Sequence, residues 1–301
     1  MGSTRASLEP RTDRFAGREC THGRQRPRSP AAHARRSCRP GPRPTDNTIE
    51  GEKMKIGIVG AGNIGKTLSR TLSAAGHEVK IANSRGPETI PSEAVATGAR
   101  AVHAVDAVRD VEVVILSMPF HRMPAFAAAL AEAPADAVVI DTSNYYPLRD
   151  QRIDAIEAGE VESVWVTEQI GRPIVKAWNA IGSASFADKG APKGTPGRIA
   201  IPVAADDADA RALGMMLVDQ TGFDGVDAGP LSQSWRQQPG APCYCTDLTS
   251  EEMHDALAAA EKERLPKRRD LSAAVIAERV GDASTSPDSE FGVRITRAIF
   301  M

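Results

Sequence analysis

KIGIVGAGNIGKTLSRTLSAAGHEVKIANSRGP, residues 55–87, decides the fold of this chain. It opens on an apolar run, Ile56 to Val59, which reads as a strand buried on both faces. Gly60, Gly62 and Gly65 follow in G-x-G-x-x-G spacing, and a helical pattern continues through Ala75. After a turn at Gly76, Glu78 to Ala82 reads as a second strand. Alone, the glycine spacing marks many ordinary turns. The strand–turn–helix–strand order around it makes it a dinucleotide fingerprint. Gly60 allows the tight turn, Gly62 lets a pyrophosphate approach the backbone, and Gly65 lets the helix pack close to the strand. The helix start then presents unpaired N–H groups and a partial positive charge to the phosphates, so Asn63 and Ile64 join the three glycines as cofactor-binding candidates.

The end of the second strand separates the two nicotinamide cofactors. An NAD site places Asp or Glu there to accept hydrogen bonds from the adenosine ribose. This chain has Asn83-Ser84-Arg85-Gly86-Pro87, with no carboxylate before Glu88. A carboxylate would repel a 2′-phosphate, whereas an arginine pairs with it through charge-assisted hydrogen bonds. Ser84 and the backbone around Gly86 can donate more. A polar turn carrying one solvated arginine is the plainer reading, but its place directly after the fingerprint favours NADP.

The whole chain has 301 residues, 41% of them hydrophobic and 25% charged, with a formal net charge of -2. That is globular composition, enough for one large or two smaller domains. The near-neutral balance and 4% aromatic content argue against nucleic acid as a partner. No apolar run reaches the roughly eighteen residues of a membrane span. Cys20, Cys38, Cys243 and Cys245 form neither a disulfide scaffold, a C-x-x-C redox site nor a zinc site, and no metal is expected. A reducing cytoplasm fits best.

Residues 1–53 differ from the rest. Arg11, Arg14, Arg18, Arg24, Arg26, Arg28, Arg35, Arg36, Arg39 and Arg43 are scattered among Pro, Ser, Gly and His without hydrophobic periodicity. Such a segment cannot bury enough apolar surface to offset its ordering entropy, and it reads as a disordered basic leader preceding Met54. A targeting presequence is opposed by the prolines and by Glu9, Asp13 and Glu19. A nucleic-acid-binding arm has no folded module beside it.

Downstream the α/β alternation continues. Helical patterns cover 91–98, 124–133 and 161–169, 106–110 is a brief helical or turn segment, and strands cover 100–103, 111–118, 137–141 and 174–178. VEVVILSM, residues 111–118, is the clearest central strand, and Pro119 turns the chain off the sheet. This is a Rossmann-type doubly wound parallel sheet, expected over 54–181, with a small C-terminal substrate or dimerisation region over 182–301. There, 182–197 is a Gly/Ala/Pro/Lys-rich loop able to act as a lid. Strands at 198–205 and 222–228 flank a helix at 206–220, and Thr249-Ser250-Glu251-Glu252 is a capping box opening a helix that runs to about Leu265, before Pro266. Trp235, Arg236 and Tyr244 suit an anionic or planar substrate, or simply an interface loop.

Ligands in such sheets bind beyond the carboxyl ends of the strands. The tips read Asn83-Ser84-Arg85, Ser117-Met118-Pro119-Phe120-His121, Asp141-Thr142-Ser143-Asn144 and Lys176-Ala177-Trp178-Asn179. Small polar groups beside Met118 and Pro119 suit a nicotinamide held by hydrogen bonds and apolar packing. GAGNIG (60–65), ANSRGP (82–87), LSMP (116–119), DTSN (141–144) and VKAWN (175–179), in this order, resemble the NADP-dependent oxidoreductases typified by the coenzyme F420 (deazaflavin):NADP oxidoreductases. The resemblance covers roughly residues 54–229. It implies NADP at the glycine turn, Ser84 and Arg85 at the 2′-phosphate, Ser117, Met118 and Pro119 along the nicotinamide, Asn144 and Asn179 near its ring, and a homodimer. It speaks for the cofactor better than for the second substrate.

The β-hydroxyacid dehydrogenases, a more distant resemblance, carry a catalytic lysine in a K-x-x-N pair on a helix. Here Lys176 and Asn179 follow Pro173-Ile174-Val175, and a strand end would point them to opposite faces. His121 is the one histidine at a tip and is the catalytic candidate as acid or base; a solvated loop histidine is the equal alternative. The expected reaction is hydride transfer between NADP(H) and an acceptor, foremost the deazaflavin, which needs no catalytic side chain. A small carbonyl or imine acceptor would need a proton donor, with His121, Lys176 or Tyr145 as candidates. A non-catalytic NADP-binding redox sensor is the remaining class.

Overall fold

The structure, a computed structural model, describes residues 53–281 and 287–301, which belong to one compact unit, Gly51–Met301. The expected leader, with Cys20 and Cys38, lies outside the described residues apart from Lys53.

β1 (Lys55–Val59), α1 (Asn63–Ala74) and β2 (Glu78–Ala82) reproduce the fingerprint. They are followed by β3 (Arg100–Ala101), α2 (Ala104–Val108), β4 (Val113–Leu116), α3 (Met123–Leu130) and β5 (Val138–Asp141). Two single-turn helices, α4 (Pro147–Asp150) and α5 (Asp154–Glu157), lead into α6 (Glu162–Ile170) and β6 (Val175–Lys176). The six strands are parallel in the order β3-β2-β1-β4-β5-β6, so the direction of winding reverses between β1 and β4. This is the Rossmann order, whose reversal point opens the ligand crevice.

Strand alternation divides the core. Ile56, Ile58, Val113 and Ile115 pack with Leu68 and Leu72 of α1 on one face. Val59, Val114 and Leu116 pack with Ala107, Phe120, Met123 and Trp165 on the other. Both faces are covered, which is why β1 and β4 are apolar nearly throughout.

Beyond β6 come α7 (Ser183–Asp188), β7 (Ala200–Val203), α8 (Ala208–Gln220) and β8 (Asp224–Asp227). β7 and β8 form a separate parallel pair. An antiparallel bridge between Lys176 and Ala204 joins it to the edge of the main sheet. The chain closes with α9 (Ser250–Ala258), α10 (Leu265–Val280) and α11 (Ser289–Phe300). Among the described residues no helix is long and apolar enough to cross a membrane.

Four expectations are corrected. The segment 91–98 makes only a single 3-10 turn, Ser92–Ala94, because Ser69 of α1 donates to the Ala94 carbonyl and Gly98 turns away at φ +110°. The strand expected over 174–178 keeps two residues, since Trp178 takes φ +55°. The expected lid contains α7, which packs against α1 with Phe186 buried on Phe223, so it is built structure rather than a free loop. The capping box at Thr249 and Glu252 is formed, but its helix ends at Ala258. Pro266 opens the next helix instead of closing this one, as its missing N–H and fixed φ allow in a first turn.

Candidate functional site

The glycine turn is shaped by two close approaches. Gly60 sits at φ +118°, and a Cβ there would lie 1.8 Å from the Ser117 carbonyl oxygen. A Cβ on Gly65 would lie 1.9 Å from the Gly60 carbonyl oxygen, so α1 seats directly on the turn. Gly62 differs: its φ of -75° is ordinary, and a Cβ would meet nothing within 4 Å. It is the N-cap of α1 and offers no side-chain acceptor to the first turn, which contains no acidic residue. Two glycines therefore build the turn, and the third leaves open space in front of a helix start.

Three adjoining cavities run along the carboxyl ends of the strands. The first, about 580 Å³, is lined by Gly60 and Gly62, by Asn83, Ser84 and Arg85, by Ser117, Met118 and Pro119, and by Arg122 and Phe126. Among the described residues no acidic side chain lines it, and Arg122 adds a cation that the sequence did not single out. Asn83 shapes the loop. Its Oδ1 accepts the backbone N–H groups of Arg85 at 2.9 Å and Gly86 at 3.0 Å, while its Nδ2 donates to Thr89. The Gly86 amide is thus committed within the loop and is not a free donor. The Arg85 side chain remains exposed.

The second cavity, about 290 Å³, shares Gly62, Ser117, Met118 and Pro119 with the first and adds Asn63, Ile64, Thr142, Ser143, Asn144 and Arg149. Ser143 is nearly buried and its Oγ has no hydrogen-bond partner among the described residues. The third, about 310 Å³, shares Asn144 and Arg149 and extends to Tyr146, Asn179, Tyr244 and Cys245, with α10 and α11 supplying its far wall. Asn144 and Asn179 are locked together. Asn144 Nδ2 donates to the Asn179 carbonyl at 2.9 Å, and Asn179 Nδ2 donates to Asn144 Oδ1 at 3.1 Å and to the Gln237 carbonyl at 2.8 Å.

The candidate proton donors stand elsewhere. Lys176 Nζ is 2.7 Å from Asp141 Oδ2 and also donates to the Ser143 carbonyl, with both side chains fully buried. Its pairing with Asn179 as a catalytic unit is not formed. Tyr145 is buried, and its hydroxyl accepts the Ile153 amide. His121 Nδ1 lies 2.9 Å from Asp150 Oδ1, and His121 lines none of the three cavities. Arg236 stacks on Trp235 at 4.5 Å and donates to the Leu257 carbonyl, so of that trio only Tyr244 reaches the third cavity.

Tyr146 and Arg149 were missed by sequence reasoning. Tyr146 donates from its hydroxyl to that of Tyr244 at 3.0 Å, and burial holds both phenols well above their ordinary pKa, hence neutral. They follow the DTSN tip at once, on a segment with no periodic signature; proximity to that tip was the available clue.

Residues 55–145 match the family described as NADP oxidoreductase, coenzyme F420-dependent. Protein YjhV of Escherichia coli (strain K12) is 45% identical over 71 residues, covering 24% of this chain; the chain spans about half, 52%, of that relative's length. Among solved structures, the hypothetical protein SMa0349 from Sinorhizobium meliloti is 29% identical with a TM-score of 0.57, over 65% of this chain and 95% of its own. A candidate F420-dependent NADP-reductase from Arthrobacter sp. FB24 is 20% identical with a TM-score of 0.50, over 77% of this chain and 96% of its own, a likeness of fold. The match to the coenzyme F420-dependent NADP oxidoreductase family thus covers the segment from β1 to the tip of β5, within the Rossmann sheet.

Proposed function

We propose that this chain binds NADP(H) across the first two cavities and transfers a hydride between its nicotinamide and an acceptor in the third, foremost a deazaflavin of the coenzyme F420 type. The observation that carries the cofactor is the first cavity: Arg85 and Arg122 line it, no carboxylate among the described residues does, and it begins at the open side of Gly62. The pyrophosphate would lie over Gly62 at the start of α1, with the 2′-phosphate at Ser84 and Arg85. The unpartnered Ser143 hydroxyl fits a carboxamide beside Met118 and Pro119. NADP supplies the hydride chemistry when bound, and the protein's part is distance, face and exclusion of water.

The deazaflavin reading draws support from the commitments of His121, Lys176 and Tyr145. None of them lines the cavities. Transfer between two ring systems needs no acid from the protein. A cavity of about 310 Å³ also suits a ring-sized headgroup. The Tyr146–Tyr244 hydroxyl pair favours a second reading, reduction of a small carbonyl or imine, in which a hydroxyl would hydrogen-bond the developing anion. The C-terminal helices, which wall the third cavity, would then set acceptor choice.

The test is NADPH oxidation by the full chain, with oxidised coenzyme F420 in one series and small ketones and imines in another, and NADH as control. Turnover with F420 and NADPH but not NADH is the expected result. Turnover with carbonyls alone would replace the deazaflavin by the second reading.

A further inference from the structure

The second and third cavities meet at Arg149. It is the one cation among the described residues lining them, and Asp288 is the one acid. Asp288 is engaged as the N-cap of α11, its Oδ1 accepting the Phe291 amide at 2.9 Å.

Arg149 is braced from one side. Its Nη2 donates to Asp150 Oδ2 at 2.7 Å and to the Asn144 carbonyl, and its Nε donates to Asp150 Oδ1 at 3.1 Å. Asp150 is fixed in turn by the Tyr146 amide at 3.0 Å and by His121 Nδ1. The guanidinium carbon lies 5.5 Å from the centre of the Tyr146 ring. These contacts use Nε and Nη2. Nη1 has no hydrogen-bond partner among the described residues, and the side chain is 46% exposed while that of Asp150 is 0% exposed. Arg149 lines two cavities with Nη1 unpaired among the described residues and its guanidinium plane already set by Asp150.

We propose that Arg149 pairs through Nη1 with an anionic group on the hydride acceptor, either a carboxylate or an ionised ring oxygen, and so makes acceptor charge the specificity determinant of the site. This rests on the hydride-transfer reading above. A guanidinium held rigidly by a buried carboxylate loses little further freedom on binding an anion, and its planar donors match a carboxylate edge. Asp150, with His121 behind it, acts as a positioning residue.

The full chain with NADPH is assayed against oxidised coenzyme F420, and against pyruvate and acetone, two small ketones that differ by a carboxylate. Preference for pyruvate over acetone, or turnover of F420, tells which anion is used. Arg149→Gln should raise the KM of the anionic acceptor by about tenfold or more, as expected for a lost charged hydrogen bond, and by a clearly larger factor than the KM for NADPH. Arg149→Lys, which keeps a charge beside Asp150, should recover part of the loss and covers the case in which Arg149→Gln does not fold. An acceptor KM unchanged in a folded Arg149→Gln, or acetone used as well as pyruvate with no F420 turnover, overturns the proposal. If no acceptor turns over, the hydride reading fails separately. The NADP⁺-loaded protein is then titrated with oxalate. Binding that Arg149→Gln abolishes and Arg149→Lys retains supports the anion site, and no binding by the unmodified protein overturns it.

Discussion

Lys176 Nζ and Asp141 Oδ2 lie 2.7 Å apart at the ends of neighbouring strands, and neither side chain reaches solvent. The pair ties β6 to β5 directly beneath the second cavity, because the same ammonium also donates to the carbonyl of Ser143. Removing one member of a buried pair leaves the other charge without compensation. Lys176→Met should therefore destabilise the protein by about 3–5 kcal/mol in urea unfolding. Hydride-transfer activity per folded molecule should change little. A catalytic lysine would give the opposite pattern, with stability kept and activity lost.

The glycine turn separates construction from binding. Gly60→Ala forces a Cβ into the Ser117 carbonyl at an unfavourable φ, and should lower the unfolding midpoint sharply. Gly62→Val places its side chain in open space with ordinary backbone geometry, so the melting temperature should hold while NADPH affinity is lost. Differential scanning fluorimetry with and without NADPH reads both. Undiminished binding by Gly62→Val would displace the pyrophosphate from this turn.

Arg85→Ala should weaken NADPH by about tenfold to a hundredfold, the range of a lost charge-assisted hydrogen bond, and leave NADH within about twofold. Arg122→Ala should show the same bias more weakly if both arginines serve the 2′-phosphate, since Arg122 stands across the same cavity. Fluorescence titration with the two reduced cofactors gives both ratios, and equal losses for NADPH and NADH would count against the acid-free cavity as the selector.

How much of this was legible beforehand follows from locality. The fingerprint, the central strand at β4 and the tips at 83–85, 117–119 and 141–144 are local patterns, written in glycine spacing, β-branched runs and polar strand ends. What could not be read were choices made by tertiary partners. The hydroxyl of Ser69 claims the Ala94 carbonyl that a helix over 91–98 would have used. Arg149 carries no periodic signal, and only its ion pair with buried Asp150 and its place between two cavities give it meaning. Pro266 was ambiguous for a related reason: proline both ends and begins helices, and only the chain on either side decides.

Acid should test Asp150. Burial alone would raise its carboxyl pKa, but hydrogen bonds from Arg149, His121 and the Tyr146 amide outweigh it and hold it below the ordinary carboxylate range. The folded protein thus binds fewer protons here than the unfolded chain. The stability this contributes is present above the unfolded value near pH 3.9 and is lost as pH falls through the lower folded value. Asp150→Asn should flatten that acid limb of the stability profile. Glu162 has the opposite sign. Burial raises its pKa, so its ionisation costs stability as pH rises from the unfolded value towards the folded one, and Glu162→Gln should remove that decline. Urea midpoints measured from pH 3 to 7 (approximate bounds set by these reference values) resolve the two slopes.

Tyr146→Phe separates the two acceptor chemistries. The Tyr146 hydroxyl donates to that of Tyr244, and burial keeps both neutral. In ring-to-ring transfer neither hydroxyl moves a proton, so kcat with F420 should stay within about twofold of the unmodified protein. In carbonyl or imine reduction negative charge develops on the acceptor, and losing a polarised hydroxyl from that pair should cost about a hundredfold in kcat, the lower range for a removed oxyanion donor. Tyr244→Phe should then behave like Tyr146→Phe, since each hydroxyl depends on the other for its orientation. A large loss with F420 in either variant would mean that the pair acts on the ring system itself, and the acid-free account of deazaflavin transfer would fall.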